Sequence, residues 1–315
     1  SCDDCHIGEA DVDSDPSTPC VACLAGQYSG RVATSCTDCA GGRADLDEDA
    51  TTPCEDCEFG FYSPAGGTVC TQCEQNWMDD DSDPATECVA CAIGYVSLPG
   101  ATECPACAVG QLYNTSTGTA VCTVCALGQY QDEPAQSSCV DCAAGQYADD
   151  VGSGSCTDCV SGQYTGTAGM WECDMCELGR YSATGSFACA VCDAGRSDVD
   201  SDPSTPCVAC EAGQYSGAEW TNCTDCVAGR ADLDSDPATV CDGCAEGHYA
   251  GAGATVCAPC AAGEYDADRD ASTPCMGCGA GYFSPQASVS CSICPPGFHD
   301  QDQDPATPCD NDDAL

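Results

Sequence analysis

Cysteines two residues apart are the side chains here with the most chemistry to offer. The phrase Cys20-Val-Ala-Cys23-Leu-Ala-Gly26-Gln-Tyr28, running on to Cys36-Thr-Asp-Cys39, returns some eighteen times in 315 residues. A C-x-x-C step can hold zinc, cycle as a redox pair or anchor structural disulfides. A redox enzyme needs one reactive pair on a packed domain, not eighteen pairs on a chain where Leu, Ile, Val and Phe together make up about one residue in nine. A zinc array carrying a net charge of -46 and three histidines would be an odd intracellular protein. Structural disulfides fit best, and 37 cysteines in 315 residues exceed the share that marks a disulfide scaffold.

Near-neighbour repetition narrows the pairing. If the second cysteine of each step closes on the first cysteine of the next, the expected bonds are Cys5–Cys20, Cys23–Cys36, Cys39–Cys54, Cys57–Cys70, Cys73–Cys88, Cys91–Cys104, Cys107–Cys122, Cys125–Cys139 and Cys142–Cys156. They continue with Cys159–Cys173, Cys176–Cys189, Cys192–Cys207, Cys210–Cys223, Cys226–Cys241, Cys244–Cys257, Cys260–Cys275, Cys278–Cys291 and Cys294–Cys309. Cys309 has no C-x-x-C mate, which this phase explains and self-closed steps do not. Cys2 is left over, to bond with a loop upstream of this segment or with another chain. Closing a loop of about 15 residues removes about 3 kcal/mol of unfolded-state entropy. A covalent ladder is therefore expected to replace the core.

The second candidate chemistry is carboxylate. Acidic combs occur at Asp11/Asp13/Asp15, Asp45/Asp47/Asp49, Asp79/Asp81/Asp83, Asp198/Asp200/Asp202, Asp232/Asp234/Asp236, Asp266/Asp268/Asp270 and Asp300/Asp302/Asp304. Asp at every second position would put carboxylates on one face of an extended strand, an oxygen-rich array that suits structural calcium. The combs are not EF-hands, because Pro16 stands where the required Gly should sit and Cys20 follows at the tenth position. The alternative is a solvated acidic face that keeps the chain soluble. Arg43, Arg196 and Arg230 stand just ahead of three combs and would compete as salt-bridge partners.

The elements that must carry these residues are short. Steps between cysteine pairs alternate 18 and 16 residues, so the unit is one long and one short loop in 34 residues, the mark of a repeat array. Residues 1–106 and 189–315 keep this alternation, whereas 107–188 lose the comb and drift to steps of 17 and 16. Asp11 to Cys23 is identical to Asp198 to Cys210. Glycine follows the second cysteine by three residues in every loop but one, where Asn76 replaces it; a turn with positive φ accounts for both residue types. Tyrosine two residues on, as at Tyr28 and Tyr215, is expected to pack on a neighbouring disulfide. Nothing keeps a helical period for three turns, and the density of Gly, Pro, Ser, Thr and Asp marks turns and short strands. The expected fold is small disulfide-rich tandem repeats with little or no helix, an elongated rod or superhelical array of closed loops.

Composition excludes several partners. Six arginines and no lysine leave no basic face for nucleic acid or an anionic membrane surface. No apolar run approaches the length of a spanning helix. The chain opens on Ser1 without a signal peptide and reads as a processed or excerpted part of a secreted protein. Two sequons, Asn114-Thr-Ser116 and Asn222-Cys-Thr224, fit that setting as glycosylation sites. His6, His248 and His299 lie in separate repeats, and no nucleophile–base set is visible, so an enzyme is not expected.

Cys142-Ala-Ala-Gly145-Gln-Tyr147, a polar loop and then Cys156-Thr-Asp-Cys159 resemble the ephrin-receptor-like cysteine-rich repeat, and more distantly the first module of TNF-receptor cysteine-rich domains. The resemblance implies an extracellular, elongated and non-enzymatic protein, with the same loop closure. Similar long arrays occur in surface proteins of unicellular eukaryotes, including mastigoneme (flagellar hair) subunits. The combs depart from the receptor pattern, so ligand-binding roles do not carry over. The expected function is a structural subunit of an extracellular fibre or appendage, associating with itself or with other fibre subunits. The alternative is a receptor or adhesion ectodomain binding a protein through residues 107–188, where Met170 and Trp171 could anchor a partner.

Overall fold

The two residues inside each C-x-x-C step are extended, and they need an edge to pair with. They find it in the residues four and five positions beyond the preceding second cysteine. In the computed structural model, which describes residues 4–311, Gln27–Tyr28 pairs antiparallel with Thr37–Asp38 in the register Gln27↔Asp38 and Tyr28↔Thr37. The Cys39 amide continues the ladder by donating to the Gly26 carbonyl at 2.8 Å. A disulfide, here Cys23–Cys36, then closes the loop beside the hairpin.

Seventeen such two-stranded sheets occur among the described residues, and no helix. All but one have strands of two residues, too short to survive alone. The exception, Gln111–Asn114 with Val121–Val124, has four on each side. The Cys91–Cys104 loop keeps only a single bridge, Tyr95↔Ala106.

What fills the interior is sulfur and small side chains. Cys39, Cys107, Cys125, Cys142, Cys159 and Cys226 are fully buried, with Ala10, Ala44 and Ala231 beside them. The buried apolar set among the described residues contains cysteine and alanine alone, while Leu24, Ile93 and Leu98 stand about three-quarters exposed. The chain thus lacks the side-chain burial that normally offsets conformational entropy, and the cross-links take that role.

Two compact units divide the chain, Ser1–Cys142 with Ala148–Cys156, and Ala143–Tyr147 with Thr157–Leu315. Inside each unit, loops are stitched to the next loop by backbone hydrogen bonds. The Asp45 amide donates to Gly67, the Ser63 amide to Pro84, the Asp232 amide to Ala254 and the Ser216 amide to Pro237, all at 2.9–3.1 Å. Each unit is therefore built as repeat arrays are, by nearest-neighbour contacts. No helix among the described residues is long and apolar enough to cross a membrane.

Candidate functional site

The repeated junction between one loop and the next is the structural unit that every candidate residue enters. The disulfides run from Cys5–Cys20 and Cys23–Cys36 onward in one phase to Cys294–Cys309, eighteen bonds closing loops of alternating sequence separation 15 and 13. Three central loops, Cys125–Cys139, Cys142–Cys156 and Cys159–Cys173, have a separation of 14 instead. Cys2 lies outside the described residues.

The recurring backbone turn behaves as expected, but it has a second cause. Gly60 has φ of 80° and Asn76 has φ of 65°, the left-handed region that L side chains enter at a cost. At Gly60, in a short loop, a Cβ would also overlap the carbonyl oxygen of Gly100, two loops on. At Gly42, in a long loop, a Cβ would sit 3.1 Å from the Ala85 amide nitrogen. Asn76 stands in a comb-bearing long loop like that of Gly42, whereas Gly110, in the comb-free Cys107–Cys122 loop, would overlap the Gly152 carbonyl oxygen. The Asn76 side-chain amide donates to the Ala120 carbonyl at 3.1 Å.

The acidic combs are not extended strands with carboxylates on one face. The residue between the second and third Asp has positive φ: Ser14, Glu48, Ser82, Ser201, Ser235, Arg269 and Gln303 lie between 54° and 60°. Each Asp of a comb then has its own local task. The first is buried: Asp45, Asp79, Asp198, Asp232 and Asp266 are 4–6% exposed. Its Oδ2 accepts the amide of the preceding loop's turn glycine, as Gly26 to Asp45 at 3.0 Å, Gly179 to Asp198 at 3.1 Å and Gly213 to Asp232 at 3.2 Å. The second takes the Thr hydroxyl five residues on, as Thr18 to Asp13 at 2.8 Å and Thr52 to Asp47 at 3.0 Å. The same role falls to Asp200 and Asp234. The third caps the turn that follows, as the Ser17 amide to Asp15, Thr51 to Asp49, Ser204 to Asp202 and Ala238 to Asp236. These are Asx-turns.

The hydrogen bonds hold several of these exposed carboxyls below the ordinary value of 3.8. The Asp15 amide and then the Thr18 hydroxyl lower Asp13, and the Ser17 hydroxyl and then its amide lower Asp15. Asp81, Asp200 and Asp234 are lowered by the amide two residues on and then by the Thr hydroxyl. As a calcium cage the donor set does not fit. Asp11 is half-buried, and the first Asp of the other five combs described above is turned inward onto an amide. Among the described residues no three Asp, Glu, His or Cys converge as a group that could hold a metal ion.

The arginines ahead of the combs also turn elsewhere. Arg43 pairs with Asp56, its cross-strand neighbour in the hairpin, at 2.5 Å. Arg196 and Arg230 face Ala209 and Gly243 across their hairpins, which offer no carboxylate. Their guanidinium groups donate instead to the carbonyls of Cys207 and Cys241. Gln takes the same strand position in other loops: Gln27–Asp38, Gln129–Asp141, Gln146–Asp158 and Gln214–Asp225 bond at 2.7–2.8 Å.

The sequence reading picked out the Asp at one buried position of the long loops but missed its serine counterpart in the short ones. Six residues after the second cysteine stands a buried polar residue, Ser in most short loops and Asp in most long ones. Ser29, Ser97, Ser182, Ser216 and Ser284 send their hydroxyls to a carbonyl of the preceding loop at 2.8–2.9 Å. Its signal is the alternation of Tyr28-Ser29 with Ala44-Asp45 and of Tyr215-Ser216 with Ala231-Asp232.

The remaining candidates are scattered. Tyr28, Tyr62 and Tyr147 are half-buried strand residues, and Tyr215 packs on Trp220 with ring centroids 5.9 Å apart. Asn114 is half-buried, its carbonyl oxygen accepting the Ser116 hydroxyl at 2.7 Å, whereas Asn222 is exposed. Trp171 is exposed and Met170 half-buried.

Residues 110–159 and 133–171 match the family described as tyrosine-protein kinase ephrin type A/B receptor-like. No curated protein matches the chain. With that match, and with the same closed loop recurring along the described residues, the chain carries tandem ephrin-receptor-like cysteine-rich repeats. The fold resembles that of non-enzymatic, receptor-like ectodomains. Disulfides at this density belong to proteins matured in an oxidising compartment.

Proposed function

We propose that the chain is a structural subunit of an extracellular fibre or cell-surface appendage, of the kind that flagellar hairs represent, and that its repeats associate side by side. The observation that carries this reading is that the residues inside the C-x-x-C step are exposed in loop after loop. Val21, Val89 and Val208 occupy the same strand position in different loops and are 52%, 37% and 52% exposed. A periodic surface suits a lattice, where each contact is weak and many repeat, and suits a selective single-ligand site poorly. The test is electron microscopy of native material prepared without reductant, together with sedimentation of the purified chain over rising concentration. Filaments containing the chain, with contacts spread over many repeats, are expected. A chain that stays monomeric throughout and is absent from every native fibre overturns the reading.

A second reading, a receptor or adhesion ectodomain acting through residues 107–188, is favoured by one observation. The family match falls there, and Trp171 is 48% exposed within it. It expects a soluble monomer whose ligand binding is lost in Trp171→Ala.

A further inference from the structure

Three successive loops break the pattern of strand-position side chains. Where most loops carry Gln or Arg four residues after the second cysteine, these carry Phe61, Trp77 and Tyr95. Their cross-strand partners are Gln72, Ala90 and Ala106, so none meets a carboxylate and two face only a methyl group. Trp77 and Tyr95 are 42% and 38% exposed. Among the described residues, the ring–ring contact is Tyr215–Trp220, which lies elsewhere.

A cleft accompanies each of these loops. The first, about 330 Å³, has Phe61 and Leu46 for apolar walls and Glu55 and Glu58 for charge, Asp56 there being already paired with Arg43. The second, about 210 Å³, sets Trp77 and Tyr62 against Glu74 and Glu87. The third, about 440 Å³, is lined by Val96, Leu98 and Val121 with Glu103 and Gln75. All three lie within one compact unit.

We infer that residues 46–122 form a docking strip for an extended segment of another protein that carries arginine or lysine side chains, one per cleft. Each cleft joins an apolar or aromatic wall to a carboxylate. A long basic side chain satisfies both, its methylene stem on Phe61, on Trp77 or on the aliphatic wall of Val96 and Leu98, and its charged head at the Glu. Charge selects the occupant. A second copy brings -46, six arginines and no lysine, and Arg43 and Arg180 are already paired within the chain. A basic segment of a different protein meets the opposite field and is steered toward it. The inference goes beyond both readings: the strip takes in Val89 and overlaps the receptor reading at residues 107–122, but it commits to a basic segment as the partner, which neither reading names.

The test uses the full chain with its disulfides intact and a fluorescein-labelled dodecapeptide of alternating arginine and glycine. Binding is followed by fluorescence anisotropy at about 0.15 M salt, where diffuse surface attraction is largely screened. Phe61→Ala with Trp77→Ala, and separately Glu74→Gln with Glu87→Gln, should each weaken binding about tenfold, or about 1.4 kcal/mol. A control pair that also removes two exposed charges, Glu211→Gln with Asp242→Asn, should change affinity less than about twofold. Equal loss in the control pair would mean only diffuse charge attraction and overturns the strip. Displacement of the peptide by spermine at equal charge concentration would mean a small-cation site and also overturns it. Trp77-dependent dimerisation without peptide would assign the surface to a second copy. Fibre formation is expected in both variants, so failure here leaves the fibre reading to its own test.

Discussion

The loop closed by Cys57–Cys70 and the loop closed by Cys73–Cys88 that follows it solve one problem with two chemistries. Both must offer the preceding loop a partner for its turn amide, six residues after a cysteine. The short loop offers a main-chain oxygen, Gly42 donating to the Ser63 carbonyl at 2.9 Å. The long loop offers a side chain, Gly60 donating to Asp79 Oδ2 at 3.0 Å. The difference explains the alternation of the sequence. Asp appears where a glycine amide needs a carboxylate, and the two Asp residues after it hold the wider turn of this loop.

The largest effect should be common to both classes. Removing Cys57–Cys70 or Cys73–Cys88 by paired Cys→Ser substitution should each cost about 3 kcal/mol, because loop entropy depends only logarithmically on length. Calorimetry of the two variants checks this. A gap above about 1 kcal/mol between them would mean that one class is held by packing rather than by its cross-link. The glycine position should instead separate the classes. Gly42→Ala should cost about 1–2 kcal/mol, mostly for its backbone conformation, with a tight but not overlapping approach to Ala85. Gly60→Ala adds an overlap with the Gly100 carbonyl and should cost about 3 kcal/mol or more. Thermal unfolding of the pair is the measurement, and equal losses would refute the two-class account.

That two-class account shows where sequence reasoning stops. The cysteine phase, the presence of short strands and turns and the positive φ at Gly60 are local, set by residues within one repeat, and they are legible from spacing. The close approach of Gly60 to Gly100 spans 40 residues and leaves no local mark. Asp-x-Asp-x-Asp reads as a strand until Ser82 turns left-handed, and the sequence at that point is an ordinary Asp-Ser-Asp. The buried side of Asp79 is invisible for the same reason, since its partner belongs to the preceding loop. Arg196 and Arg230 could have been placed from sequence once the hairpin register was known, because Ala209 and Gly243 opposite them offer no acid.

Next in size is the buried acceptor itself. Asp232→Ala should leave the Gly213 amide buried without a partner, at about 2 kcal/mol. Ser216→Ala removes a hydroxyl donor to the Arg196 carbonyl and should cost about 1 kcal/mol or less. Amide exchange at Gly213 distinguishes the two: fast exchange is expected in the Asp variant and unchanged exchange in the Ser variant.

Acid should then loosen the long loops selectively. Asp81, Asp200 and Asp234 have folded-state pKa values lowered from 3.8 by amide and Thr hydroxyl bonds. Their contribution is therefore complete above the unfolded value and is lost as pH falls through the lower folded one. Below about pH 4, exchange protection in the segment 81–86 should fall relative to 63–67, after correction for intrinsic rates. The eighteen disulfides keep the loops closed meanwhile, so the change is local. Parallel loss in both segments would show that the combs do not hold their turns through ionised carboxylates.

The smallest expected effect compares two neighbouring central loops. Gln146 bonds Asp158 across its hairpin at 2.8 Å, whereas Gln163 in the next hairpin faces Met175. The glutamines are half-buried and their partners exposed, so a polar cross-strand pair is worth about 0.5 kcal/mol at most. Gln146→Ala should lower stability by about that amount and Gln163→Ala by less, and only a double-mutant cycle with Asp158→Ala separates the pair from strand propensity. A coupling energy near zero would leave the Gln of the Gly-Gln-Tyr phrase without a structural reason, and would move attention to the surface it presents. A coupling near the expected value places that glutamine with the cysteines and glycines, as a residue each loop uses to hold itself.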